Sequence, residues 1–235
     1  VTVETENLRE LITPVRFVLW DLDGPICRLF AGHPAHRVAK DLVRLVEGRG
    51  LGGLLTSEER ATQDPHRVLR GVYLRRPESD LIIELEEWLT RQELIAVPTA
   101  YPTAHADPLI RMWASRARFA ITTNNAAVAA ARYIESRGLT DCFPYIYGRT
   151  RQIDLMKPDP HYLLQALNAM GADPSASLMI GDAPSDFEAA QKARVSFLGY
   201  ARNDDKLRTF LDAGVRREHI VSSMQQVRLA LGAPA

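Results

Sequence analysis

The chain has 235 residues, of which 46% are hydrophobic, enough for one large domain or for a core carrying a smaller insert. Its 29 basic residues balance its 29 acidic ones with no block of one sign, which argues against a nucleic-acid arm or a membrane-surface patch and for a small-molecule partner. Cys27 and Cys142 fit free thiols in a reducing cytoplasm better than a disulfide framework, no apolar stretch reaches the roughly 18 residues of a membrane span, and Val1-Thr2-Val3-Glu4-Thr5-Glu6 is unlike a signal peptide.

The first informative element is the apolar run Phe17-Val18-Leu19-Trp20, which is followed by Asp21-Leu22-Asp23-Gly24-Pro25. A buried strand over residues 16–20 stopped by Gly24-Pro25 leaves two carboxylates at its C-terminal end, where open α/β sheets collect ligands. Asp21 and Asp23 share one face of an extended segment. One can attack a phosphorus while the other carries a proton, which points to phosphoryl transfer.

Between about residues 34 and 97 the apolar spacing becomes helical, with helices expected over 34–47, 65–75 and 79–95. Residues 48–53 break the first from the second. Phe30-Ala31-Gly32-His33 leads into this block and Val97-Pro98-Thr99-Ala100-Tyr101-Pro102-Thr103 leads out of it. Two such joints around a rigid helical unit form a candidate hinge.

From His105 onward strands and helices alternate, the pattern of a parallel sheet with crossover helices. Strands are expected at 118–122, 145–147, 177–180 and 195–198, with a short one at 219–221. Helices are expected at 107–116, 126–137, 160–170, 184–193, 205–213 and 222–231. The domain reading is a core of residues 1–30 and 100–235 with a helical insert over 31–99.

Three later segments fall where such a sheet would bring them beside Asp21. Thr122-Thr123-Asn124-Asn125 offers a hydroxyl and a backbone turn after a strand, suited to a phosphate oxygen. Met156-Lys157-Pro158-Asp159-Pro160 fixes one ammonium able to neutralise a phosphoryl group and a carboxylate. Gly181-Asp182-Ala183-Pro184-Ser185-Asp186 supplies two more acids, and with Asp21 these make an oxygen-rich site for a hard cation.

In this order the four segments resemble the signature motifs of the haloacid dehalogenase-like superfamily, over a span from Phe17 to about Leu198. The resemblance implies an α/β fold, a Rossmann-like parallel sheet core with helices on both faces, and an inserted all-helical C1 cap. It implies that Asp21 is a nucleophile forming an aspartyl-phosphate and that Asp23 is the acid/base, which also lends its backbone carbonyl to the metal. It further implies that Thr123, with Asn124, and Lys157 bind phosphate, and that Asp182 ligates Mg²⁺. Asp186 is implied as a second acid holding the metal's water shell or Lys157, so Asp21, Asp23, Asp182 and Asp186 form the expected metal set. The expected activity is Mg²⁺-dependent hydrolysis of a small phosphate ester, by a phosphoglycolate phosphatase-like member of the superfamily. The expected protein is cytoplasmic, a monomer or homodimer, with no nucleic-acid or membrane partner.

A 2-haloacid dehalogenase shares the nucleophile, but that branch lacks the acid at the position of Asp23. A sugar-phosphate mutase would keep both acids, but Pro25-Ile26-Cys27 departs from the hexose-phosphate mutase pattern. A binding module with the same fold is the non-enzymatic alternative. Near the cap joint, Arg28, His33, His36 and Arg37 read equally as contacts to the leaving group or as ordinary surface. His66, Arg67, Arg70, Arg75 and Arg76 give the insert a basic character that would attract an anionic substrate, but read first as a solvated helix face.

Overall fold

The computed structural model describes residues 3–232. An N-terminal helix, α1 (Val3–Ile12), precedes β1 (Phe17–Trp20); the sequence reading lacked this helix. Next come β2 (Cys27–Arg28) and four helices, α2 (Ala35–Gly48), α3 (Ser57–Ala61), α4 (Pro65–Arg75) and α5 (Asp80–Ala96). The chain returns through β3 (Tyr101–Pro102) and α6 (Ala106–Trp113). The alternating part follows with β4 (Arg118–Ala126), α7 (Ala127–Ser136), β5 (Tyr145–Arg149) and α8 (His161–Met170). It continues with β6 (Ser177–Gly181), α9 (Pro184–Lys192) and β7 (Ser196–Tyr200), and ends with α10 (Asp204–Asp212), β8 (Ile220–Val221) and α11 (Met224–Gly232). Among the described residues no helix is long and apolar enough to cross a membrane.

Six strands form one parallel sheet in the order β5-β4-β1-β6-β7-β8. The period-2 geometry of a strand explains why β1 is apolar throughout, since both faces of the sheet are covered. Val18 and Trp20 enter one core with Phe119, Ile121, Leu178 and Ile180. Leu19 enters the other with Ala120, Met179 and side chains of α8 and α9. Trp20, Trp113 and Phe119 meet edge to face, with ring centroids 5.8 to 6.3 Å apart. The fold is an α/β Rossmann-like sheet with helices on both faces.

A third apolar cluster joins Val38, Leu42 and Val46 of α2 to Val68, Leu69 and Val72 of α4 and to Leu81, Leu85 and Leu89 of α5. Ile153 and Met156, from the segment before Lys157, belong to the same cluster. The helices fall near their expected positions, and α3 is an addition. Thr56 and Glu59 make a reciprocal capping box at its start, a signal present in the sequence as Thr-x-x-Glu.

The two joints of the helical block differ from simple linkers, because β2 and β3 pair antiparallel, Cys27 with Pro102 and Arg28 with Tyr101. Thr103 adds a hydrogen bond from its hydroxyl to the Gly24 carbonyl and one from its N–H to the Ile26 carbonyl. Entry and exit strands are thereby tied to the turn that carries the Asp21–Asp23 pair. The sequence reading also ended β4 at residue 122. The strand continues to Ala126 with a register shift between Thr122 and Ala126, so Thr123-Asn124-Asn125 is a bulged strand end and not a free turn. Gly148 of β5 permits this, since a Cβ there would meet the Asn125 carbonyl oxygen at 2.5 Å.

Candidate active site

Strand order decides what meets at the C-terminal end of the sheet. With β1 between β4 and β6, Asp21 follows one strand, Thr123 lies on the next, and Asp182 follows the third. Asp21, Asp23, Thr123, Asn124, Lys157, Asp182 and Asp186 all line a single cavity of about 960 Å³. The residues named from the sequence for phosphoryl transfer, phosphate binding and metal binding are therefore in one place.

Lys157 lies at the centre of the acids. Its ammonium is 2.6 Å from Asp186 Oδ1 and 3.1 Å from Asp21 Oδ1, and it donates to the Thr122 carbonyl at 2.8 Å. The approach to Asp21 is close enough for an ion pair but off the hydrogen-bonding direction, so Asp21 Oδ1 is buried without a hydrogen bond. Asn124 fixes the lysine's backbone through two bonds. Its Oδ1 accepts from the Lys157 N–H at 2.8 Å and its Nδ2 donates to the Lys157 carbonyl at 3.1 Å. Thr123 Oγ1 is fully buried and bonds locally, donating to Asn125 Oδ1 and accepting from the Asn125 N–H. Thr123 and Asn124 do not cap α7, whose start carries no side-chain cap of its own.

Asp186 uses both oxygens. Oδ1 faces Lys157 while Oδ2 accepts from the N–H groups of Asp182 and Ala183 at 3.0 and 3.1 Å. Gly181 makes room for it, because a Cβ there would overlap the Asp186 carboxylate. Gly24, at φ +117°, does the same for Asp182. Asp23 is steadied by the Leu29 N–H, which donates to its Oδ1 at 2.9 Å.

Burial raises the Asp21 carboxyl to about 7, with Lys157 pulling against the rise and Asp186 and Asp182 adding to it. Burial likewise raises Asp23 to about 6, helped by Asp182, and moves Asp182 up against the opposing charge of Lys206. For Lys157 burial disfavours the charge, yet Asp186 and Asp21 together outweigh it and hold the ammonium above the ordinary lysine range. The site crowds acids in low dielectric and is short of positive charge.

Oxygens of Asp21, Asp182 and Asp186 lie within 4.8 Å of one another, a donor set that suits a hard divalent cation. The unbonded, buried Asp21 Oδ1 fits the same group. One further charge stands there. Lys206 Nζ lies 2.7 Å from Asp182 Oδ2 and donates to the Asp182 carbonyl at 2.8 Å. Sequence reasoning missed Lys206, although its position follows once β7 is known to lie beside β6, because the start of α10 after β7 is then a neighbour of the loop after β6.

On the helical side, His66, Arg67 and Arg70 line the cavity, where the sequence suggested a solvated face. Arg70 donates to the carbonyls of Lys157 and Met156 at 2.7 and 3.2 Å, and burial lowers its pKa. Arg75 and Arg76 lie outside the lining, and Arg75 pairs with Glu59. Arg28, His33, His36 and Arg37 are not among the lining residues either. Arg28 stacks over Tyr101 at 5.4 Å and His33 Nε2 bonds Gln92 at 2.9 Å, because the pairing of β2 with β3 turns this stretch toward the joint. Cys27 is buried, and burial pushes its thiol well above the usual range, which leaves it unreactive.

Residues 90–200 match the family model described as haloacid dehalogenase-like hydrolase. A phosphoglycolate phosphatase of Neisseria meningitidis is 28% identical over 92% of this chain and 93% of its own. One of Mesorhizobium japonicum is 31% identical over 41% of this chain and 43% of its own. Among solved structures, a haloacid dehalogenase-like hydrolase from Bacteroides fragilis superposes with a TM-score of 0.66 at 20% identity, covering 91% of this chain and 99% of that one. The family match includes Thr123, Lys157, Asp182 and Asp186, while the Asp21–Asp23 pair meets them through the fold. Residues 90–200 are thus similar in sequence to the haloacid dehalogenase-like hydrolases, and the architecture of the chain is the fold of such a hydrolase.

Proposed function

We propose that the protein is a Mg²⁺-dependent phosphatase that hydrolyses a small phosphorylated metabolite through an aspartyl-phosphate on Asp21. The observation that carries this is the pair of acids after β1, one facing a lysine and the other held separately by a backbone N–H. A dehalogenase has work for Asp21 alone. A hydrolase of phosphate esters needs Asp23 as well.

In the first step an Asp21 oxygen attacks the phosphorus, the ester P–O bond breaks, and the departing alkoxide takes a proton from Asp23. In the second, Asp23 accepts a proton from a water that attacks the same phosphorus, which releases inorganic phosphate and restores Asp21. Burial and the neighbouring Asp182 raise Asp23 above the ordinary carboxylate range, the direction that suits a group which first gives and then takes a proton. Lys157 holds Asp21 in line and neutralises the phosphoryl oxygens, and Thr123 with the Asn124 backbone receives them. Asp21, Asp182 and the Asp23 backbone carbonyl would hold the metal, with Asp186 bracing Lys157. A magnesium ion there would relieve the repulsion between the Asp21 carboxylate and the phosphate.

Arg67 and Arg70 on the opposite wall, set beside Glu59 and Asp64, offer N–H donors to an anionic leaving group. Phosphoglycolate, the ester named for two relatives, is the first substrate to assay. The test is a panel of phosphate esters with Mg²⁺, with and without EDTA. Turnover confined to the Mg²⁺ arm and abolished by Asp21→Asn is the expected result; turnover that survives either change would overturn the proposal.

A further inference from the structure

Glu93, in the last turn of α5, is a buried acid with no part in the chemistry above, and it has no exposed surface. Its oxygens face partners from three directions. Oε1 lies 2.7 Å from Arg149 Nη1, 3.1 Å from Asn125 Nδ2 and 3.1 Å from His66 Nε2. Oε2 accepts from the Ala126 N–H at 2.8 Å and from Arg149 Nη2 at 3.0 Å. The Ala126 N–H opens α7, so the carboxylate also meets the positive end of that helix. Burial alone would raise Glu93, but Arg149 and His66 outweigh it and hold the carboxyl near 2.

Arg149, the last residue of β5, is equally enclosed. It bonds Glu86 at 3.2 Å, Thr90 at 3.1 Å and the Asn124 carbonyl at 3.0 Å. Asn124 in turn grips both backbone groups of Lys157. A continuous set of bonds therefore runs from α5 through Arg149 and Asn124 to the lysine between Asp21 and Asp186. A side branch reaches His66 on the cavity wall.

A buried ion pair is a weak source of net stability, because desolvation offsets its attraction. What this one supplies is direction, since a bidentate guanidinium–carboxylate pair fixes its neighbours within a narrow range of angles. We propose that Glu93 is a positioning residue that holds the bulged segment 123–126 and Lys157 in register and couples both to His66 on the helical wall. The kinetic part of this inference rests on the phosphatase reading, while the ordering of the segment does not.

Two readouts test it. The first is amide hydrogen exchange of Glu93→Gln, which keeps the shape and removes the charge. Faster exchange at 123–126 and around Lys157, with β1 and β6 unchanged, is expected; wild-type exchange in these segments would overturn the proposal even in a catalytically silent protein. The second is turnover of p-nitrophenyl phosphate with Mg²⁺ by wild type, Glu93→Gln, His66→Ala and the double variant. We expect Glu93→Gln to lower kcat roughly tenfold to a hundredfold and to shrink the effect of His66→Ala to less than half of its wild-type size. A kcat within about twofold of wild type, well below the variant's Tm, or fully multiplicative effects, would overturn it. Should Glu93→Gln fail to fold, Arg149→Lys keeps the charge and removes the fork, and the same outcomes decide. Wild-type protein that turns over no phosphate ester would instead overturn the phosphatase reading, and the exchange arm would still judge Glu93.

Discussion

The Lys157 ammonium lies 2.6 Å from Asp186 Oδ1, with both side chains almost fully enclosed. The same nitrogen faces Asp21, so one cation offsets two buried acids. Replacing it by methionine leaves both uncompensated. Lys157→Met is expected to cost about 3–5 kcal/mol of stability at neutral pH and to lower kcat by about 10²-fold or more. Thermal unfolding and steady-state turnover measure the two effects, and an unchanged kcat would remove Lys157 from the reaction.

Gly181 is required by what lies over it. A methyl group there would occupy the place of the Asp186 carboxylate, which receives two N–H groups and the lysine. Gly181→Ala is therefore expected to lower Tm by several degrees and to cut kcat, although the new side chain is small and apolar. Ala183→Gly, two residues further on, keeps the N–H that donates to Asp186 and should leave kcat within a few-fold of wild type.

In the metal-free protein the two acids after β1 give stability an unusual pH dependence. Folded Asp21 and Asp23 titrate near 7 and 6, against an ordinary 3.8. Between about pH 4 and pH 7 the folded chain holds more protons than the unfolded one, so stability falls as pH rises through that window. Glu93 has the opposite sign. Its value near 2, against an ordinary 4.5, contributes stability that is lost as pH falls below about 4.5. Melting in EDTA should therefore be best just below about pH 4 as far as these groups decide it. Asp21→Asn should melt higher than wild type at pH 8 and converge with it near pH 4. A variant that melts lower at pH 8 would contradict the raised Asp21 value.

Lys206 sits on the acid proposed to hold the metal, 2.7 Å from Asp182 Oδ2. The pair is partly open to solvent, so its strength is on the order of 1 kcal/mol or less. Removing the ammonium frees that oxygen. Lys206→Met is expected to tighten Mg²⁺ binding by up to about fivefold, as read by calorimetric titration. Weaker binding in the variant would mean that Lys206 supports the ion instead of competing with it.

Much of this arrangement was legible in the sequence because it depends on local signals. The run Phe17–Trp20 stopped by Gly24-Pro25 marks the strand and leaves Asp21 and Asp23 at its end. Alternating strands and helices after His105 then imply which ends gather. The helices at 34–47, 65–75 and 79–95 followed from apolar spacing. What escaped depends on contacts between distant segments. Glu93 looks like one more acid on a polar helix face, since nothing local says that Arg149, 56 residues later, will meet it. His66 and Arg70 follow Asp64-Pro65 on a helix whose exposed and cavity-facing sides look alike in composition. The extended course of Thr123-Asn124-Asn125 was also hidden, because a bulge forms only where β5 brings Gly148 against it.

The proposed reaction turns on Asp21 carrying the phosphoryl group. The most direct measurement quenches Mg²⁺-loaded protein with acid during turnover, reduces it with borohydride, and maps the peptide containing residue 21 by mass spectrometry. An acyl phosphate at that position is converted to homoserine. Homoserine at position 21 is expected during turnover, with none in the absence of substrate and no turnover by Asp21→Asn. Unmodified Asp21 in an enzyme that turns over, together with an active Asp21→Asn variant, would contradict that role.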